Sequence, residues 1–223
     1  MITVLLMSFV YSITSGYAFF DSMIPNAIEN PAELVWSTLF RVGAGFHVIL
    51  GLVLLNVFHR QWDCGWNGTL ISNGFSFREI FFQKIIWLAS AVLWSLIAVF
   101  VTAIIYRYPM NPDSMFWLIF IWHGVIWFSF TIFLFEYNRD SIHITLIYFL
   151  WPFLIEPLIF LGLRIVLGVD LEPFRFFKNV DEFGLWASSF YTPVEDYYHS
   201  FGVTSSYIVM MWGLIFIRSR EKS

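Results

Sequence analysis

The sequence predicts an all-α fold, a polytopic integral membrane helical bundle of about six transmembrane helices, and three observations predict it. Apolar residues make up 59% of the 223 and charged residues only 13%, about half the ~25% of an average soluble domain. The mean hydropathy is +0.72. Long apolar segments approach or exceed the ~20 residues needed to cross ~30 Å of hydrocarbon. They leave no room for a separate soluble domain, so residues 1–223 read as a single transmembrane domain.

The expected spans cover approximately residues 2–20, 34–58, 81–106, 115–137, 142–169 and 201–217. The first is read as a span rather than a leader peptide, because no basic residue precedes its apolar core. Gly16 and Ala18 nonetheless supply the small residues of a cleavage site, so both readings stay open. In the third span Ala91, Ser95, Ala98 and Thr102 recur at spacings that place small side chains on one helical face, where another helix can approach closely. The fifth contains Trp151-Pro152 and Glu156-Pro157. Each proline removes a backbone donor and frees a carbonyl one turn earlier, so this span is expected to kink or break.

Lys and Arg in short loops set the orientation. Arg60, Arg78, Lys84, Arg139, Arg218, Arg220 and Lys222 fall on one side of an even-numbered bundle, and only Arg107, Arg175 and Lys178 on the other. The basic side is cytoplasmic, which places both termini there. The loop from His59 to Ile80, with Cys64 and Asn73-Gly74, then lies in the cytoplasm, and Asn67-Gly68-Thr69 falls in it. The opposite loop, from Asp170 to Tyr198, mixes aromatic and charged residues and is expected to lie in the headgroup layer as an aromatic anchor.

Several function classes are excluded or disfavoured. The basic residues are scattered and the formal net charge is −4, so no surface for nucleic acid exists. A lone cysteine rules out a disulfide framework and a Cys-rich zinc site. No metal site and no cofactor is expected. No internal repeat supports a repeat-built transporter.

Ionisable groups inside a bilayer are functional candidates by default. Arg41, His47, His123, Glu156, Arg164, Glu195 and His199 are those groups here. In the topology above, Arg41, Arg164, Glu195 and His199 fall in the outer leaflet and His47, His123 and Glu156 near the midplane. Such an array suits a cleft that holds a lipid headgroup; equally, it suits neutralising pairs that fix packing, such as Glu156 with a histidine or Arg41 with Glu195. Glu195 and His199 share a helix face, but no HExxH-type motif accompanies them.

The stretch Phe40-Arg41-Val42-Gly43-Ala44-Gly45-Phe46-His47, after a loop containing Ile24-Pro25-Asn26, resembles the second span of the FRAG/DRAM family of six-span membrane proteins. Residues 109–123, where a short turn leads into an aromatic run ending at His123, agree in order, as does Glu195 to His199 entering the last span. Val48-Ile49-Leu50 stands where that family commonly has Pro-Arg. The resemblance implies six spans, family-type roles for Arg41, His47 and His123, and a link to remodelling the lipid of glycosylphosphatidylinositol (GPI) anchors.

The expected function is a lipid-handling membrane protein, non-catalytic, binding lipid or serving as an accessory subunit of a larger assembly. The alternatives are an enzyme or factor remodelling GPI-anchor lipid, and a small-solute channel or transporter. The expected partners are membrane lipids and other membrane protein subunits. The expected location is the endoplasmic reticulum, the Golgi or the plasma membrane.

Overall fold

A computed structural model describes residues 46–59, 72–105, 114–137, 141–182 and 194–221. The expected first span, the start of the second, Arg41, Cys64 and Asn67 lie outside the described residues. Those residues are helical with short connections, and no strand occurs among them.

In chain order the helices are α1 (Phe46–His59), α2 (Phe77–Ile105), α3 (Ser114–Tyr137), α4 (Ser141–Leu150), α5 (Glu156–Leu167), α6 (Phe176–Glu182) and α7 (Val194–Glu221). A π-helical turn, Trp151–Ile155, joins α4 to α5. Three segments, Arg78–Ile105, Trp117–Tyr137 and Tyr198–Arg220, are long and apolar enough to cross a membrane. The chain is therefore compatible with an integral membrane protein.

Local sequence explains where the helices start and stop. Gly74, at φ 85°, makes the turn before α2. Ser76 and Glu79 then form a capping box, in which the Ser76 N–H and hydroxyl both donate to Glu79 Oε2 and the Glu79 N–H reaches back to Ser76 Oγ. At the other extreme, α5 stops at Gly168, which takes φ 66° and donates its N–H to the Arg164 carbonyl, a left-handed C-cap that favours glycine. At the two X-Pro pairs the α-helical pattern is interrupted. The helix widens there: the Glu156 N–H bonds to the Trp151 carbonyl, one residue further back than in an α-helix, and the π turn absorbs the lost donors.

The surface of α2 carries its large apolar residues outward and its small ones inward. On α2 the small face is the buried face, with Ala91, Ser95, Ala98 and Thr102 all at 4% exposure or less, while Ile86, Leu93, Trp94, Phe100 and Ile104 point outward. In hydrocarbon, large apolar side chains gain nothing by leaving lipid, whereas small ones let backbones close up. The helix α3 is the central post, packed on α2 and on α7, with Phe120, Ile126 and Phe128 fully buried. Lys84 of α2 forms an ion pair with Glu136 of α3 and donates to Ser219 Oγ of α7 at 2.7 Å. The start of α2 therefore meets the ends of α3 and α7, so α2 runs antiparallel to both.

Between α5 and α7 the chain does not stay outside the bundle. Phe176 and Phe177, expected as interfacial anchors, are buried at 4% and 2% exposure. The Phe177 ring packs against Trp127 and Phe130 of α3, with centroids 5.2 and 5.1 Å away. Of the flanking aromatics, Phe174 does face outward.

Candidate functional site

The interior of the bundle holds a buried histidine pair. His47, one residue into α1, is fully buried, and His123, in the middle of α3, is 2% exposed. Their Nδ1 atoms lie 2.9 Å apart. On its other side His47 Nε2 is 2.9 Å from Ser95 Oγ of α2, and Trp127 Nε1 donates to His123 Nε2 at 3.0 Å, one turn along α3. Gly124 makes room for the ring: a Cβ there would come within 3.1 Å of His47 Nε2. Phe120 and Phe128 close the remaining sides, at centroid distances of 4.5 and 5.6 Å.

The donors and acceptors fix the polarity of this chain. Indole N–H can only donate, so His123 Nε2 is an acceptor and its proton sits on Nδ1. That proton goes to His47 Nδ1, whose own proton must then sit on Nε2 and point at Ser95. Ser95 in turn donates to the Val92 carbonyl at 2.7 Å. Two neutral histidines satisfy every link, and α1, α2 and α3 are tied by one relay. A general base needs a lone pair facing substrate, and in this arrangement both accepting nitrogens face protein donors.

Glu156 is a further buried ionisable group, at 3% exposure. Both its oxygens accept the Phe177 N–H, at 3.2 and 3.0 Å, and Arg175 Nε lies 3.9 Å away. His199 works on the same connection from α7: its Nε2 donates to the Pro173 carbonyl at 2.9 Å. Arg164 is apart from these groups, exposed near the end of α5. Glu195 lies in the first turn of α7, and Arg41 is outside the described residues. Of the seven expected site residues, then, His47 meets His123, and Glu156 and His199 hold one connecting segment. Among the described residues no three His, Cys, Asp or Glu side chains cluster in a way that could hold a metal ion.

Sequence reasoning missed the partners. Ser95 was legible only as a small residue, although its hydroxyl is what His47 requires. Trp127 carried a signal, standing one turn after His123, where an indole N–H and an imidazole meet. Glu136 is a carboxylate inside an expected span, and Lys84 lies in the matching register of its antiparallel neighbour.

Comparison with protein-family models, with curated proteins and with solved structures finds no match to this chain.

Proposed function

We propose that this chain is a lipid-handling polytopic membrane protein that acts without catalysis, as a lipid-binding or accessory subunit of a larger membrane assembly. The observation that carries the reading is how the interior polar groups are used. His47, His123, Ser95 and Trp127 bond to one another, Lys84 bonds to Glu136 and Ser219, and Glu156 bonds to the Phe177 N–H. These groups hold helices together, and the large outward side chains of α2, α5 and α7 offer apolar surface to lipid or to a neighbouring subunit. In this reading all six apolar stretches cross an endomembrane or the plasma membrane, with both termini cytoplasmic.

One observation favours a second reading, a factor remodelling the lipid of GPI anchors. The two histidines that carry the FRAG/DRAM resemblance, His47 and His123, lie far apart in sequence and meet in space.

Extraction from native membranes into lipid-preserving polymer discs, followed by mass spectrometry, tests the first reading. The expected result is one lipid class enriched over the bulk membrane together with a co-purifying membrane protein at fixed ratio. Bulk lipid composition with no partner would overturn it. The second reading gains if His47→Gln and His123→Gln variants stay folded yet change the lipid chains of anchored proteins in the host.

A further inference from the structure

We propose that residues 168–182 form a re-entrant segment, entering the bilayer from the end where α5 stops and α7 begins, reaching toward its middle at Phe176 and Phe177, and turning back in α6. The proposal depends on the bundle spanning a membrane and not on the lipid-handling reading.

Depth is the first argument. Glu156 lies twelve residues before Gly168 on α5, about 18 Å along the axis at about 1.5 Å per residue. The hydrocarbon half-thickness is ~15 Å. The Phe177 N–H is bonded to the Glu156 carboxylate, so the chain leaves α5 at Gly168 and descends alongside it by a comparable distance. Independent contacts agree. The Phe177 ring touches Trp127 and Phe130, near the middle of α3, and the Phe176 ring lies 5.1 Å from Tyr207, near the middle of α7. The return is visible in α6, where Asn179 Oδ1 accepts from Ser200, seven residues nearer the start of α7 than Tyr207.

Backbone satisfaction is the second argument. Irregular chain survives at membrane depth only where protein groups replace water as partners. The Pro173 carbonyl accepts from both His199 Nε2 and Asn179 Nδ2, the Phe174 carbonyl from the Tyr207 hydroxyl, and the Arg175 carbonyl from Asn179 Nδ2 and the Asn179 N–H. The Phe174 N–H bonds to the Leu171 carbonyl. Four carbonyls between Leu171 and Arg175 thus have protein partners, where a loop lying in water could rely on solvent. The charge follows the same rule: Arg175 goes down with the segment and lies beside the Glu156 carboxylate, as an arginine leaving water requires.

Nitroxide labels at Asp170→Cys, Phe174→Cys and Lys178→Cys, each on a Cys64→Ser background in lipid nanodiscs, test the proposal. All three positions are exposed on the protein, so each label samples what surrounds it. Oxygen concentrates among acyl chains and a nickel chelate stays in water. The expected result is a ratio of oxygen to chelate accessibility several-fold higher at 174 than at 170, with 178, a lysine on the returning arm, between them. In a Glu156→Ala background the label at 174 should shift toward the chelate, while Glu156→Gln, whose amide oxygen still accepts the Phe177 N–H, should hold most of the depth. Equal chelate accessibility at the three positions would mean a lid lying in water over the bundle and would overturn the proposal. Unchanged depth in Glu156→Ala would remove Glu156 as the seat. If that variant fails to fold, the depth profile of the otherwise unaltered protein still decides.

Discussion

A single methyl group distinguishes two glycines whose surroundings differ. At Gly51 a Cβ would run into the Tyr148 hydroxyl and come within 2.8 Å of Thr131 Oγ1, whereas at Gly162 it would meet nothing within 4 Å. Gly51→Ala is therefore expected to lower stability by about 1–3 kcal/mol through overpacking. Gly162→Ala should raise it by about 0.5–1 kcal/mol, because alanine loses less backbone freedom in a helix. Denaturation of detergent-solubilised protein, followed by tryptophan fluorescence, checks both; equal effects would mean that α1 and α4 do not approach as described. The histidine pair makes a second residue-scale expectation. A double-mutant cycle of His47→Ala and His123→Ala should return a coupling of about 0.6–1.7 kcal/mol, the range of hydrogen bonds between transmembrane helices. A coupling near zero would dissolve the pair. That His123 faces the interior was legible from the cost of an imidazole without a partner in lipid. Which partner it takes was not, because a hydrogen bond between α1 and α3 depends on helix rotation, and nothing in a uniformly apolar helix reports rotation.

At the scale of elements, the small-residue stripe on α2 was read correctly as a contact face, since in lipid the sign of the packing signal is size rather than hydropathy. The proline-rich span is expected to kink or break, and the interruption there takes the form of a π turn at Trp151–Ile155. A kink and a π turn are both ways to lose two donors, and sequence does not choose between them. The aromatics after α5 were read as anchors at the membrane surface, and Phe176 and Phe177 are core residues instead. Composition could not separate these cases because an interfacial belt and a buried turn draw on the same rings. The Lys84, Glu136 and Ser219 cluster, which joins three helices, gives the test at this scale. Glu136→Leu is expected to cost about 3–5 kcal/mol by leaving the Lys84 ammonium without its carboxylate, and adding Lys84→Met should recover a large part of it. Additive losses in the double variant, measured by the same denaturation assay, would mean that the two side chains act separately.

For the whole molecule, helical content and the long apolar helices were legible because they are sums over many residues, whereas partners, lipid and compartment depend on surfaces that composition does not encode. Handedness in the membrane lies between these, and it supplies the last expectation. Lys84 near the start of α2 bonds to Ser219 near the end of α7, while His199 near the start of α7 bonds to the segment that follows α5. These contacts place Arg78 and Arg220 at one end of the bundle and Asp170 at the other, whichever way the bundle is inserted. The excess of Lys and Arg at the Arg78 end leads to the expectation that this end faces the cytoplasm. Single cysteines at Arg78, Arg220 and Asp170, on a Cys64→Ser background in sealed vesicles of known orientation, should label with an impermeant thiol reagent accordingly. The first two should react from the cytoplasmic face and the third from the opposite face. If Arg78 and Arg220 react from opposite faces, the antiparallel arrangement of α2 and α7 is wrong. If all three share one face, α7 does not cross. If the pattern is intact but inverted, the bundle stands and only the charge rule has failed.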